Sequence, residues 1–107
     1  MAKLSNGTIS VIFVAQRTDL DADGYAQAAA LMDELAAQQA GYIGIDSVRG
    51  ADGLGITVSY WTDEASANAW RDHAEHTAMR DAGRNQWYAH YSLHVAQVTR
   101  SHDWKKP

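Results

Sequence analysis

The apolar pattern opens with Ile9–Ser10–Val11–Ile12–Phe13–Val14–Ala15, nearly continuous and rich in β-branched residues. Such a run predicts a strand buried on both faces, hence a central one. Asp19 and Asp21 offer capping oxygens to an alanine-rich segment reaching Gln39, in which Tyr25, Ala28, Ala29, Met32, Leu35 and Ala36 recur at helical spacing. Gly41 stands where a helix end favours a left-handed residue. Tyr42–Arg49 and Gly55–Trp61 read as strands, and Gly50–Ala51–Asp52–Gly53 between them carries turn chemistry, which makes a hairpin. Thr62–Asp63–Glu64 supplies a cap and first-turn negative charge for a second helix running to about Ala82, closed by Gly83. From Trp87 to Arg100 apolar and polar positions alternate, clearly at first and then less so, which predicts a fourth strand followed by a tail.

The order β-α-β-β-α-β is the split βαβ, ferredoxin-like arrangement of the α+β class: a four-stranded antiparallel sheet with two helices on one face. It predicts one domain over residues 1–107, with a core of about 8–100 and a tail of 101–107. In such a sheet the third and fourth strands flank the first. Two helices cover a single face, yet Ile9, Val11 and Phe13 point one way from the first strand and Ile12 and Val14 the other. The uncovered face would leave an apolar patch in water. The least costly cover is the same face of a second copy, so the pattern predicts a homodimer packed sheet against sheet.

Composition narrows the function. The chain has 107 residues, 46% hydrophobic and 21% charged, with a formal net charge of −4. That balance argues against a nucleic-acid partner or an anionic membrane surface. Cysteine is absent, which removes disulfides, thiolate metal sites and a thiol nucleophile. No stretch is apolar for long enough to span a bilayer, and Met1–Thr8 is short and polar with no secretory segment, so a cytoplasmic location is expected.

Candidate chemistry concentrates on the second helix. Around Trp70, at 100° per residue, Ser66, His73, Thr77 and Arg80 lie within roughly 80° on one side, with alanines on the other flank. His76 lies further round, beside His73 and Arg80. Imidazole, hydroxyl and guanidinium groups thus border a bulky indole, and the neighbouring alanines could leave a cleft. One reading is a pocket walled by Trp70 with His73 as acid–base group. The other is a half-buried tryptophan with polar neighbours at the water boundary. No metal site is expected: His90 and His94 stand about 13 Å apart along a strand, and His73 with His76 lacks a third ligand. Gly50, Gly53 and Gly55 belong to the hairpin rather than to a phosphate loop, because no helix follows them. Tyr60 and Trp61 end the third strand while Trp87, Tyr88 and Tyr91 begin the fourth, so their rings could line one end of a pocket.

Tyr60–Trp61 at a strand end, Trp70 nine residues later, and Gly83–Arg84 ahead of Trp87–Tyr88, on this topology, resemble the antibiotic biosynthesis monooxygenase (ABM) family of dimeric α/β barrels. The resemblance runs from about Thr8 to Arg100. It implies a homodimer with packed sheets and a site in each subunit between sheet and helices. It also implies, for the best-understood members, oxygenation of polycyclic phenolic or quinone precursors without metal or flavin, the substrate's own carbanion reducing dioxygen; for this chain the expected substrate is a small aromatic, quinone-type or carbonyl compound. On that chemistry His73 would be the base, with Arg80 or Tyr60 stabilising the enolate oxygen and Trp61 and Trp70 as stacking walls. Ser66, His76, Thr77, Trp87 and Tyr88 complete the expected binding set. The haem-degrading branch of this fold carries a ligating histidine where this chain has Arg80, and a first-strand asparagine where the nearest amide is Gln16. Haem binding therefore stands as a lesser alternative, beside a non-catalytic dimeric module that binds a small molecule.

Overall fold

The computed structural model describes residues 4–79 and 86–107, the side chains of 76–79 excepted. Ile9–Arg17 forms β1, Ala22–Gln38 α1, Tyr42–Arg49 β2, Leu54–Trp61 β3, Glu64–Met79 α2 and Tyr88–Gln97 β4, which is the predicted order. The sheet is antiparallel and runs β2-β3-β1-β4, so the apolar run of β1 is central and is flanked by β3 and β4.

The strand bounds differ from the pattern for local reasons. β1 runs two residues past Ala15 because Gln16 Nε2 donates to the Asp52 carbonyl at 2.7 Å and Arg17 N to the Gly53 carbonyl at 3.0 Å. These bonds tie the hairpin tip to the central strand. β4 stops at Gln97, where the alternation fades. The expected end of α2 near Ala82, and Gly83 itself, lie outside the described residues.

Both helices begin on aspartate. Asp21 caps α1 from the left-handed region (φ 50°), where a short polar side chain is tolerated, and accepts from Gly24 N at 3.3 Å. Asp63 accepts from Ser66 N at 2.7 Å at the head of α2, and these hydrogen bonds hold its carboxyl below the usual carboxylate range. Gly41 joins α1 to β2 at φ +83°, and a Cβ there would fall 2.4 Å from Ser66 Oγ, so only glycine admits this approach of α2.

Helix α1 packs over β2, while α2 packs over β1, β3 and β4. The core lies between: Ile9 and Val11 from β1, Trp61 from β3, Ala36 from α1, and Ala67, Trp70 and Ala74 from α2. Trp61 is fully buried and stacks on Trp70, ring centroids 5.8 Å apart. Its indole N–H donates to Ser59 Oγ at 2.9 Å, which satisfies the buried donor within the same strand face.

The register sends Ile12, Val14, Ile56 and Val58 to the side away from the helices, with Val48 and Leu54 beside them. Val48, Leu54 and Ile56 remain 68%, 41% and 40% exposed, so this face carries a contiguous apolar strip in the isolated chain. Among the described residues no helix is long and apolar enough to cross a membrane.

Candidate functional site

On the helix side of the sheet, the rows Val11–Ser59–Ile45 and Leu93–Phe13–Thr57–Ser47 form a floor. Two aromatic clusters stand at its ends. Toward the Ile9 end, Trp61 and Trp70 stack. Toward the hairpin end, Tyr25 of α1 meets Trp87 and Tyr88 edge-on, each with centroids 6.0 Å away, and Phe13 lies 5.6 Å from Tyr88. Between the ends the helices present Ala28, Ala29 and Ala74, which fill little volume. A cavity of about 130 Å³ results, open between α1, α2 and the sheet. That is close to the size of an apolar cavity known to take a benzene ring.

The lining is mostly hydrocarbon, with a few polar groups. Ser47 and Thr57 hydroxyls bond to each other at 2.8 Å. Asp33, an exposed residue of α1, stands at the rim, and partial burial of its carboxyl raises its pKa. The Tyr88 phenol is pushed well above its ordinary value, chiefly by burial and then by the Tyr25 oxygen, while Arg49 and Arg17 pull it back. Tyr88 is therefore a neutral hydrogen-bond donor throughout the physiological range.

Three of the expected residues, Trp70, Trp87 and Tyr88, line this cavity. Trp61, His73, Ser66 and Tyr60 are carried elsewhere. Trp61 lies beneath Trp70, wholly buried, as core. The His73 imidazole stacks on Trp70 (centroids 5.4 Å, 18° between planes), but His73 is exposed and outside the lining. Ser66 packs against Gly41 at the head of α2. Tyr60 points from the opposite face of the sheet, its hydroxyl donating to Asp46 Oδ2 at 2.9 Å. The side chains of His76 and Thr77, and the whole of Arg80, fall outside the described residues.

The stance of His73 has a simple cause. The buried face of α2 is set by Ala67, Trp70 and Ala74, an arc of about 60° on the alanine side of Trp70. His73 lies about 60° off on the other side, where the polar stripe meets water. Asp33 and Tyr25 are the residues that sequence reasoning passed over as chemistry. Their signal was present: Tyr25, Ala29 and Asp33 succeed one another at i, i+4 and i+8, placing a carboxyl in the inward stripe of α1.

Among the described residues no group of three or more His, Asp or Glu side chains could hold a metal ion. No histidine among the described residues lines the cavity, so none is placed there to ligate a haem iron.

The family model for antibiotic biosynthesis monooxygenase matches residues 9–82. The uncharacterized protein YqjZ of Bacillus subtilis is 47% identical over 91 residues, covering 85% of this chain and 79% of that one. Among solved structures, SnoaB, a cofactor-independent oxygenase from Streptomyces nogalater, superposes with a TM-score of 0.69 at 12% identity, over 89% of this chain and 96% of that one. NE2512 of Nitrosomonas europaea gives a TM-score of 0.71 at 11% identity, over 94% of this chain and 97% of that one. At such identities the structural likeness speaks for the fold alone.

Proposed function

We propose that this chain, which belongs to the antibiotic biosynthesis monooxygenase family, oxygenates a small aromatic, quinone-type or carbonyl compound without a metal or flavin. The observation that carries the reading is the cavity of about 130 Å³, walled by Trp70, Trp87 and Tyr88, with one carboxyl at its rim. The flat walls suit a planar guest, and the volume limits the enclosed part to about one ring.

The chemistry asks little of the protein. An acidic C–H of the substrate gives its proton to a base and leaves a resonance-stabilised carbanion. The carbanion's electron pair reduces dioxygen and forms a C–O bond, and the peroxide takes up a proton. Loss of water from that hydroperoxide leaves a carbonyl, so a CH2 group and O2 become C=O and H2O. The protein holds the ring, accepts the proton and keeps bulk water away. Asp33 is the base in this reading, because it borders the cavity and desolvation makes it a stronger base than an ordinary aspartate. His73 backs the Trp70 wall through their stacked rings. Tyr60, bonded to Asp46 on the helix-free face, belongs to the contact between two copies that cover the apolar strip of Val48, Leu54 and Ile56.

The test is oxygen uptake by metal- and flavin-free protein with quinol- or anthrone-type substrates, in the wild type and in Asp33→Asn. Uptake should fall about 100-fold or more in the variant, as for loss of a general base, and should rise with pH through an apparent pKa above 3.8 in the wild type. Ring compounds that bind in the cavity while no substrate drives uptake would instead leave a ligand-binding module. Unchanged turnover in Asp33→Asn would remove Asp33 from the mechanism.

A further inference from the structure

Two arginines meet at the hairpin end of the cavity. Arg49 follows Ile45 and Ser47 on the helix side of β2, and Arg17 follows Phe13 and Ala15 on that side of β1. Their guanidinium carbons lie 3.9 Å (Arg17) and 4.9 Å (Arg49) from the centre of the Tyr25 ring. Arg49 Nη2 also donates to the Tyr25 hydroxyl. Both groups are pinned: Arg17 Nη1 donates to the Trp87 carbonyl at 2.6 Å, and Arg49 Nη1 to the Gly53 carbonyl at 2.8 Å. A Cβ on Gly55 would come within 3.0 Å of the Arg49 guanidinium carbon, so glycine there makes the room that this group occupies.

Among the described residues neither arginine has a carboxylate ion partner; the ion pairs are those of Arg71 with Asp72 and Glu75. Asp21, the acid at the head of α1, is engaged instead by the Trp87 indole N–H at 3.0 Å and by Gly24 N. Two positive charges thus converge on two phenols that line the cavity, and no carboxylate of the described residues is in ion-pair contact with either. A hydroxyl that accepts from a guanidinium is polarised, and its own O–H becomes a stronger donor. Tyr88 lies within the field of both arginines and keeps its proton, and its hydroxyl is hydrogen-bonded with that of Tyr25, so the two phenols form one donor chain.

We propose that the Tyr25–Tyr88 end of the cavity seats an anionic oxygen, so the ligand is a one-ring acid whose carboxylate or phenolate oxygen faces these hydroxyls and the ring of which lies toward Trp70. The inference rests on the reading of the cavity as the substrate site and names the substrate class. It places the carbanion-forming carbon on the Asp33 side and the charge-bearing oxygen on the arginine side.

The experiment measures binding without turnover, by quenching of tryptophan fluorescence and by chemical-shift perturbation of the indole N–H signals of Trp70 and Trp87. Benzoate is compared with benzamide, and 4-nitrophenolate with nitrobenzene, which separates a carboxylate seat from a phenolate seat. At least one anion should bind about tenfold or more tightly than its neutral partner, the scale of a hydrogen bond to a charged group. Arg49→Gln, on an exposed edge strand, should reduce that ratio by about tenfold, and Arg49→Lys should restore part of it. Arg71→Gln, remote on α2, should leave it unchanged. Equal affinity of both anions and their neutral partners overturns the inference while leaving the cavity as a ring-binding site, and it needs no variant. An undiminished ratio in Arg49→Gln overturns it as well. Failure of all four probes to bind overturns the cavity reading together with it.

Discussion

Replacing Ala29 by leucine decides whether the space between the helices is open. Ala29 lies in the inward stripe of α1 and lines the cavity, half-buried. Leucine adds three carbons, each worth about 0.8 kcal/mol when fully removed from water. With the site half-exposed, about half of that is realised, or about 1 kcal/mol of added stability. Helix propensity contributes almost nothing, since alanine and leucine are both strong formers. For a domain of this size the gain corresponds to about 4–8 °C in Tm. The same side chain in a filled interior has the opposite effect, because overpacking costs about 1–3 kcal/mol. The sign alone therefore discriminates. Urea unfolding followed by circular dichroism at one protein concentration reads it directly, since a higher midpoint with unchanged slope is a stability gain. The filled cavity should also lose its affinity for one-ring ligands. A lower midpoint in Ala29→Leu, or a gain with ligand binding intact, would refute the geometry on which the site is built.

Other consequences follow from the outer face and the helix heads. Ile56→Lys places a charge in the middle of the exposed apolar strip and should convert a dimer to a folded monomer in sedimentation velocity; a monomeric wild type would end that reading of the face. Asp63 caps α2 with a carboxyl held below its ordinary pKa, so its stabilisation is present above the unfolded value of 3.8 and is lost as pH falls through the folded one. Asp63→Ala should lower Tm near neutral pH and match the wild type well below 3.8, whereas an equal gap at both pH values would assign the loss to something other than the charged cap.

The architecture was legible because each element announces its own period. The β1 run fixed the central strand, the hairpin glycines fixed the pairing of β2 with β3, and Asp63 fixed the head of α2 within a residue. Even the uncovered face followed from Ile12 and Val14 alone. The site was less legible, because its walls come from six elements and a helix read by itself does not say which side of a tryptophan turns inward. Taking Trp70 as the centre put His73 and the alanines on equivalent flanks. Packing breaks that equivalence: a helix lying close to a sheet needs small residues at the contact, so Ala67 and Ala74 mark the buried side and the imidazole is left outward. The same rule, applied to α1, marks Ala28 and Ala29 as the cavity side and sets Asp33, one turn on, at its rim. Alanine was the informative residue on both helices, and the tryptophan was the conspicuous one.

Those alanines also explain why a hollow survives in so small a fold. Packing to interior density would require α1 to settle onto the floor made by Phe13, Thr57 and Ser47. Rigid rings stand in the way at both ends: Trp61 under Trp70 toward Ile9, and Tyr25 against Trp87 and Tyr88 toward the hairpin. From Ile9 to Ala15 the sheet offers roughly 20 Å, and the two ring clusters occupy its ends. Only Ala36 of α1 is fully buried, so that helix rests on its C-terminal turns and on Tyr25, spanning the gap between. The space left over is about one ring long, and among the described residues its size follows from strand register and ring placement, with Trp87 just ahead of β4 as one of those rings. Loops can reshape the mouth, but a larger guest would need one of the ring clusters to move. That couples the capacity of the site to the stability of the core, since Trp61 and Trp70 belong to both.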